Sequence, residues 1–232
     1  MEKTHELFKS FDLYSEVVQQ NYMRHKELIA ITKERLSQKG IQDGATLIDL
    51  GCGNAHFSKE AYPAEICLHY KGIDLSENAI YSAKNMLHDR SNWDVALVCD
   101  DMLHFLENSQ EKVQFISSGF CLHHLSTPQK KAVFSALKKR LLAGGTFFLY
   151  DVAMEERDNK PIFNKRQLNW YRKAWHSISN EQMAAISEHI LKEDFPEKVS
   201  TYKNWAKAFG FSQIKQLYRD PNSLYVFLEF VA

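Results

Sequence analysis

The chain has 232 residues, 44% hydrophobic and 25% charged, which is ordinary for a single globular domain. The chain has 29 basic residues (Lys and Arg) and 29 acidic residues (Asp and Glu), so its net charge is zero. Such a balance does not attract nucleic acid, and we expect no nucleic-acid partner. No apolar run reaches the roughly 18 to 20 residues that span a bilayer, and the N-terminus lacks a secretion signal. The four widely spaced cysteines fit reduced thiols, so we expect a cytoplasmic protein with no membrane partner.

Residues 1–40 have a helical pattern. Apolar side chains recur at helical spacing between Phe8 and Gln38, and this stripe includes Tyr14 and Tyr22.

The next segment, residues 45–151, alternates short apolar runs with amphipathic stretches. The apolar runs are Ala45 to Leu50, Leu68 to Asp74, Asp94 to Cys99, Val113 to Phe120 and Thr146 to Asp151. The stretches between them are Asn54 to Ala61, Glu77 to Asp89, Met102 to Ser109 and Pro128 to Ala143. Such alternation predicts a parallel sheet with helices on both faces.

The alternation stops at residues 152–199, which are polar, helix-prone and rich in aromatic residues. Residues 200–232 then give a helix and two strands, Phe211 to Tyr218 and Leu224 to Val231, joined by a short turn. A short turn makes neighbouring strands antiparallel. We therefore predict a single α/β domain with a mostly parallel seven-stranded sheet and an antiparallel C-terminal edge hairpin. N-terminal helices and a helical insertion after the fifth strand complete it.

The first sequence feature with chemical content is the glycine-rich turn after the first strand. Gly51 and Gly53 let the backbone turn tightly and approach a ligand, and the following helix offers free amide donors. A dinucleotide fingerprint needs a small residue where His56 stands, whereas here the small residue is Ala55. Asp49 would repel a pyrophosphate but suits the ammonium group of a zwitterion. The alternative is a plain tight turn between a strand and a helix.

Acidic residues end the second and third strands. Asp74 is placed to accept both hydroxyls of a ribose, although an aspartate there also caps helices, and Ser76 can share that task. Asp100 can accept a hydrogen bond from an exocyclic amine, and the amides of Asp101 and Met102 can reach a ring nitrogen. Leu75 and Met102 are placed to sandwich the ring. The competing interpretation is that Asp100 and Asp101 cap the next helix.

In this order and spacing, these three segments resemble motifs I, II and III of the class I S-adenosylmethionine (SAM)-dependent methyltransferases of small molecules. Ser117 to Leu125 and Leu141 to Gly145 resemble two further stretches of that family, with Ala55 as a departure at the third glycine. The resemblance implies SAM as cofactor and S-adenosylhomocysteine (SAH) as product. The predicted cofactor contacts are Asp49, Gly51, Cys52, Gly53, Asp74, Leu75, Asp100, Asp101, Met102 and Phe120. Family members often cover the cofactor with N-terminal helices, so Tyr14 and Tyr22 are predicted to close over it, with fixed packing as the alternative.

Two adjacent histidines, His123 and His124, follow the fourth strand where the methyl group would point. A neutral imidazole there can take a proton from a hydroxyl or amine, so both are candidate catalytic bases. The alternative is that they order the loop or contact the cofactor. We expect no metal, because adjacent histidines chelate poorly and no carboxylate lies at ligand spacing nearby.

The insertion supplies the candidate acceptor contacts. Trp170, Tyr171 and Trp175 can wall a cationic or planar substrate, and His189 can contact it, although core packing and exposed helix polarity are equally valid explanations. The leading hypothesis is methyl transfer from SAM to an O or N atom of a small molecule, by a monomer or homodimer. The rivals are a SAM-binding protein without transferase activity and a nicotinamide-dependent oxidoreductase.

Overall fold

Two helices precede the sheet in a computed structural model that describes residues 11–232: α1 (Phe11–Gln19) and α2 (His25–Lys39). Residues 1–10, including the predicted helix start at Phe8, lie outside the described residues. The helical run is interrupted between α1 and α2, where Asn21 and Arg24 have left-handed backbone angles (φ 57° and 63°). The Asn21 side chain accepts the Lys26 amide at 2.9 Å and thereby orders the connection.

Strands and helices then alternate as the pattern predicted. The elements are β1 (Ala45–Leu50), α3 (His56–Ala61), β2 (Leu68–Asp74), α4 (Glu77–Met86), β3 (Trp93–Cys99), α5 (Met102–Asn108), β4 (Val113–Gly119), α6 (Thr127–Arg140) and β5 (Leu141–Met154). All five strands are parallel to one another. Their carboxyl ends therefore meet at one edge, where open α/β sheets bind ligands.

The insertion forms a helical cap, followed by the edge hairpin. The cap consists of α7 (Lys160–Ala174), α8 (Asn180–Glu193) and the short β6 (Glu197–Lys198), which pairs with β5. After α9 (Val199–Ala208), β7 (Gln213–Arg219) and β8 (Tyr225–Val231) pair antiparallel. The sheet order is β3-β2-β1-β4-β5-β8-β7. The predicted mostly parallel sheet with an antiparallel hairpin is confirmed.

The predicted boundary between α6 and β5 was wrong by a few residues. The helix was expected to reach Ala143, but it ends at Arg140, and the next residues already belong to the strand. Leu141 pairs with Val113 of β4, and the register shifts before Phe115. Gly144 has a φ of 75°, so the glycine pair bends the start of the strand rather than ending the helix.

Apolar side chains cover both faces of the sheet. On one face, Phe134 of α6 packs against Phe147 and Phe230 of the sheet, and all three are fully buried. On the other face, Leu28 of α2 and Phe148 of β5 are buried in a second cluster. Burying one such side chain contributes about 1.5–3 kcal/mol before conformational entropy is subtracted. These two layers fix the strand ends that carry the site. Among residues 11–232, none of the helices has the length and apolar character needed to cross a membrane.

Candidate active site

The glycine-rich turn after β1 is packed on one side and open on the other. The amides of Gly51 and Cys52 donate to the Ile73 carbonyl at 2.8 and 3.0 Å. A Cβ on Gly51 would lie 2.6 Å from Sγ of Cys121, whereas one on Gly53 would meet nothing within 4 Å. Gly51 and Gly53 have φ angles of 68° and 54°, a region that favours glycine. The turn therefore presents bare backbone to open space at Gly53.

The next residue with a left-handed backbone is Ala55, which has a φ of 60° and is fully buried. This is the position where the family pattern has its third glycine. An L-residue in this region costs roughly 1–2 kcal/mol. The departure noted in the sequence therefore keeps the glycine-like conformation, and the strain is held by the surrounding packing.

Asp49 lies beneath the turn and is only 3% exposed. Its carboxylate accepts hydrogen bonds from the hydroxyls of Ser58, Tyr70 and Ser117 at 2.7, 2.9 and 2.8 Å. Burial raises the pKa of Asp49, and the three hydroxyls oppose that shift. In this position Asp49 supports the turn from below. Its predicted contact with the ammonium group of the cofactor stays a prediction.

Asp74, at the tip of β2, connects the first two motifs. One carboxylate oxygen accepts the Gly53 amide and the other accepts the Ser76 amide, both at 2.9 Å. Ser76 supplies the N-cap of α4, so the cap and the acidic strand tip are separate residues. Leu75 is 52% exposed beside them, unusual for so large an apolar side chain. An acid held at the edge of an open turn fits the predicted ribose contact.

The two aspartates of the third motif, Asp100 and Asp101, have different hydrogen-bond partners. Asp101 caps α5 by accepting the amides of Leu103 and His104 at 2.9 Å, which confirms the capping interpretation for this residue. Asp100 accepts the Asp101 amide at 2.8 Å and contacts Nδ1 of His104 at 2.9 Å. This hydrogen bond and the carboxylate charge raise the pKa of His104. Met102 is half-buried behind Gly51.

A cluster of aromatic rings lies beside the glycine-rich turn. Phe120 has a φ of 50° and donates its amide to Tyr150 at 2.9 Å, and its ring lies 5.3 Å from the His25 ring. The Tyr14 hydroxyl is 3.3 Å from Nε2 of His25. Burial, then the nearby carboxylate of Asp49, raises the pKa of Tyr14. Tyr14 and Phe120 therefore both contact His25, and their predicted contacts with the cofactor stay predictions.

His25 is the site residue that sequence reasoning missed. It is 2% exposed, its Nδ1 is buried without a hydrogen-bond partner among residues 11–232, and burial lowers its pKa to about 4. The imidazole is therefore neutral at physiological pH. Its signal in the sequence was weak, because one histidine at the start of a polar helix resembles a surface residue. The left-handed Arg24 turns the chain so that His25 faces inward.

Tyr22 lies in the cap rather than beside Tyr14. Its hydroxyl contacts Oγ of Ser177 and accepts the Ser177 amide, both at 3.0 Å. Its ring stacks on Trp175 with centroids 5.2 Å apart. The N-terminal segment is thus joined to the cap through Tyr22 and to Phe120 through His25.

The cap aromatics form a stack of their own. Tyr171 and Trp175 are 3% and 5% exposed, with ring centroids 3.8 Å apart. The Tyr171 hydroxyl accepts from Gln167 and Tyr225 at 2.9 Å. These contacts match the core-packing alternative for both residues. Trp170 is partly buried at the same cluster, and acceptor contact by any of the three stays a prediction.

His123 and His124 are brought together with residues from the end of the cap. Nδ1 of His123 lies 2.5 Å from Asp151, and its Nε2 lies 3.8 Å from Oδ1 of Asp194. Nδ1 of His124 and Nε2 of His189 lie 3.3 and 3.5 Å from that same oxygen. The spacing argument against a metal considered only residues close in sequence, and it did not detect Asp194.

The electrostatics of these histidines differ. Burial opposes protonation of His123, but the carboxylates of Asp151 and Asp194 prevail and raise its pKa. Burial, followed by His123, lowers the pKa of His124, and burial also lowers the pKa of His189. The predicted base roles of His123 and His124 stay predictions, and the proposed substrate contact of His189 does too.

Residues 20–216 match the methyltransferase domain family, which spans most of the chain. The chain belongs to the class I SAM-dependent methyltransferases. The predicted family is confirmed, and SAM is the cofactor. The family assignment therefore replaces the rival hypothesis of a nicotinamide-dependent oxidoreductase.

Two relatives and one solved structure are similar to the methyltransferase chain. Carboxy-S-adenosyl-L-methionine synthase of Trichodesmium erythraeum is 26% identical over 200 residues, covering 82% of this chain and 73% of the relative. Demethylmenaquinone methyltransferase of Halalkalibacterium halodurans is 23% identical over 179 residues, covering 74% and 67%. Magnesium protoporphyrin IX methyltransferase from Synechocystis PCC 6803 with bound SAM superimposes with a TM-score of 0.60 at 15% identity, covering 94% and 82%.

The site fits the cofactor on its own geometry. Among the described residues Gly53 faces open space, and the Asp74 carboxylate accepts its amide. The exposed Leu75 follows Asp74, and the half-buried Met102 lies near Gly51. Those groups offer a bare backbone, hydroxyl acceptors and apolar surfaces for a ring. Tyr14, His25 and Phe120 close the other side of the turn. A nucleoside with a short charged tail needs these features in this order.

Proposed function

We propose that this methyltransferase transfers the methyl group of SAM to an O or N atom of a small molecule. The observation that carries the proposal is the neutral, buried His25 beside Phe120 and Tyr14, next to the glycine-rich turn. Among residues 11–232 its Nδ1 is buried without a hydrogen-bond partner. In the tautomer whose Nε2–H donates to the Tyr14 hydroxyl, Nδ1 accepts a hydrogen bond from an acceptor O–H or N–H. An unpaired buried acceptor is costly, and a protonated nucleophile satisfies it.

SAM supplies an activated methyl group on a sulfonium, so the protein has mainly to position and desolvate the nucleophile. In-line attack needs the nucleophile roughly 3 to 3.5 Å from the methyl carbon. Phe120 and Tyr150 give the pocket apolar walls, and their rings are 5.7 Å apart. His25 holds the nucleophile by its proton within these walls. The rigid strand end keeps Phe120 in place through its backbone hydrogen bond to Tyr150.

The relatives support a small acceptor, because demethylmenaquinone and magnesium protoporphyrin IX are named as the substrates of two of them. The balanced charge of the chain supports the same class, since polyanionic acceptors favour basic surfaces. We also propose a monomer or homodimer in the cytoplasm. The free thiols of all four cysteines support that reducing compartment.

The test is turnover of SAM carrying a ¹³C-labelled methyl group against panels of phenols, alcohols, amines and carboxylic acids. SAH release identifies an acceptor, and the carbon chemical shift of the new methyl group identifies the methylated atom. A methyl group on carbon would contradict the O or N assignment. Tight SAM binding without turnover of any panel would favour the SAM-binding protein without transferase activity.

The role of His25 is tested separately with the acceptor so found. His25→Leu is expected to lower kcat or raise the acceptor KM while leaving the SAM dissociation constant within about twofold. Losing one hydrogen bond to the nucleophile costs about 0.5–1.5 kcal/mol, or roughly twofold to tenfold in rate. The matched control is His69→Leu, an exposed histidine on β2 that contacts Asp94. Equal kinetics of His25→Leu and wild type would remove His25 from the acceptor pocket.

A further inference from the structure

A second constellation lies away from the glycine-rich turn, where the loop after β4 meets the end of the cap. His123 and His124 lie on a short 3₁₀ turn, Leu122–His124, and Asp194 directly follows α8. One ligand-type atom from each of these three residues lies within 4.8 Å of the others. The side chains of His123 and Asp194 are 8% and 6% exposed. The methyl-transfer proposal uses none of these contacts.

The distances within this cluster are longer than those of ordinary hydrogen bonds. His124 and His123 approach Oδ1 of Asp194 at 3.3 and 3.8 Å, beyond the usual range of about 2.7–3.2 Å for N–H···O bonds. Ligands about 2.0–2.2 Å from a tetrahedral zinc ion are roughly 3.3–3.5 Å apart. Among residues 11–232, both Nδ1 of His124 and Oδ1 of Asp194 are buried without a hydrogen bond of normal geometry. An ion between them would satisfy both atoms.

The surroundings of His123 have the arrangement of a metal-bound histidine. Its Nδ1 contacts the Asp151 carboxylate at 2.5 Å, which leaves Nε2 directed towards Asp194. Metal-ligating histidines usually donate their second ring N–H to a carboxylate, which fixes the tautomer and the ring orientation. Asp151 is itself held, because it accepts the amides of His123 and Val152 at 3.0 and 2.8 Å.

The local charge also suits a divalent cation. Asp151 and Asp194 are fully or almost fully buried, and Glu197 lies close by. The buried Lys130 pairs with Glu197 at 3.4 Å. Two buried carboxylates are costly unless cations compensate them. Asp194 is fixed beside the histidines, because the next amide, that of Phe195, donates to the His123 carbonyl at 2.7 Å.

We propose that His123, His124 and Asp194 bind one divalent transition-metal ion of the zinc type, joining the cap to the loop after β4. Two imidazoles and one carboxylate form a donor set that such ions prefer over Mg²⁺ or Ca²⁺. His189 contacts the same carboxylate at 3.5 Å and orients it. The proposal is independent of the identity of the methyl acceptor.

The test is titration of chelator-treated, dialysed protein with ZnCl₂ by calorimetry in the absence of SAM, with CoCl₂ as a spectroscopic probe and MgCl₂ as a comparison. We expect saturation at about one zinc per chain and a cobalt absorption spectrum typical of nitrogen and oxygen ligands. His124→Ala and Asp194→Asn should each weaken zinc binding by about a hundredfold, and His189→Ala by about tenfold. His69→Ala is the control, since His69 forms an exposed pair with Asp94 at 3.0 Å.

His124 is the decisive variant, because its side chain is 26% exposed and its truncation is tolerated better than that of Asp194. Circular dichroism checks that each variant is folded. Absence of saturable zinc binding, or equal binding by wild type and folded His124→Ala, would overturn the proposal. The cluster would then be an ion pair in which a protonated His123 lies between Asp151 and Asp194. Because the titration omits SAM, its outcome is separate from that of the turnover assay.

Discussion

The two ends of the ligand-binding edge are built in different ways. At the cofactor side, the groups that matter lie within a few residues of a strand end: Gly51 and Gly53 after β1, Asp74 at the end of β2. At the cap side, His123 meets Asp194 only because the insertion folds back over β4. The first kind of site is visible in the sequence as a motif, and the second is visible only after folding. The cofactor can therefore be named from spacing, whereas the acceptor and the metal site require contacts.

The largest expected effect comes from a substitution at Gly53, the most open point of the cofactor side. Gly53→Val should weaken SAM binding by at least about a hundredfold, which is roughly 2.7 kcal/mol. The branched side chain would occupy the open space above the turn and adopt an unfavourable positive φ. Isothermal titration with SAH measures the change.

The control for Gly53→Val separates strain from blockage. Gly210→Val carries the same change at a φ of 79°, also with nothing within 4 Å of the added Cβ, but it lies after α9. It should lose stability and keep its affinity for SAH. If Gly53→Val bound SAH as tightly as the wild type, the binding turn would lie elsewhere.

The second prediction concerns His25, which belongs to both halves because it contacts Phe120 and Tyr14. Its folded pKa of about 4 lies below the usual value near 6.5, so the unfolded chain binds the extra proton first. Its contribution to stability is fully present above pH 6.5 and is lost as the pH falls towards 4. Between pH 7.5 and 4.5 the wild type should lose about 2.5 kcal/mol more than His25→Gln.

Urea unfolding of both proteins at the two pH values measures that difference, and groups common to both proteins cancel. His56 and Glu27 act on the His25 charge in opposite directions and are unchanged in the comparison. Parallel losses in wild type and His25→Gln would mean that His25 is hydrated or paired in solution. His69→Gln, an exposed histidine, serves as the matched control.

The sequence was sufficient where geometry follows from local chemistry. The bounds of β1 and β2, the antiparallel hairpin and the three motif positions were all predicted, because each depends on apolar runs and turn residues. It was insufficient at Leu141 to Gly145. The sequence predicted a helix up to Ala143, but Leu141 pairs with Val113 and already belongs to β5. It also missed His25, and it did not place Asp194 beside His123 and His124, since these contacts join residues distant along the chain.

A third prediction addresses Asp74, which connects the turn to the proposed ribose position. Asp74→Ala should raise the SAM dissociation constant by about tenfold or more, since a hydrogen bond to a carboxylate contributes about 1.5–3 kcal/mol. The variant also removes the acceptor of the Gly53 amide, 2.9 Å away, and so loosens the turn. Asp94→Ala on β3 is the control, because its side chain is 76% exposed. An unchanged constant in folded Asp74→Ala would exclude the ribose contact.

The smallest expected effect separates Tyr14 from Tyr22, which were both predicted to close over the cofactor. Tyr14→Phe should weaken SAH binding by about fivefold, as expected for one lost hydrogen bond of about 1 kcal/mol, because its hydroxyl lies at the turn beside His25. Tyr22→Phe should leave the affinity unchanged, because its hydroxyl bonds to Ser177 of the cap. The second variant should instead lower the unfolding temperature slightly, since it breaks the link between the N-terminal segment and the cap.

Calorimetry with SAH and thermal unfolding of both variants decide between a lid and fixed packing. If the N-terminal helices close over the cofactor as one unit through both tyrosines, the two variants will lose affinity equally. If only Tyr14 reaches the cofactor, affinity and stability will separate between the variants. The separated outcome is expected, because Tyr22 stacks within 5.2 Å of Trp175, whose other face is covered by Tyr171. Such a stack anchors α1 to the cap, so any closing motion must carry the cap with it.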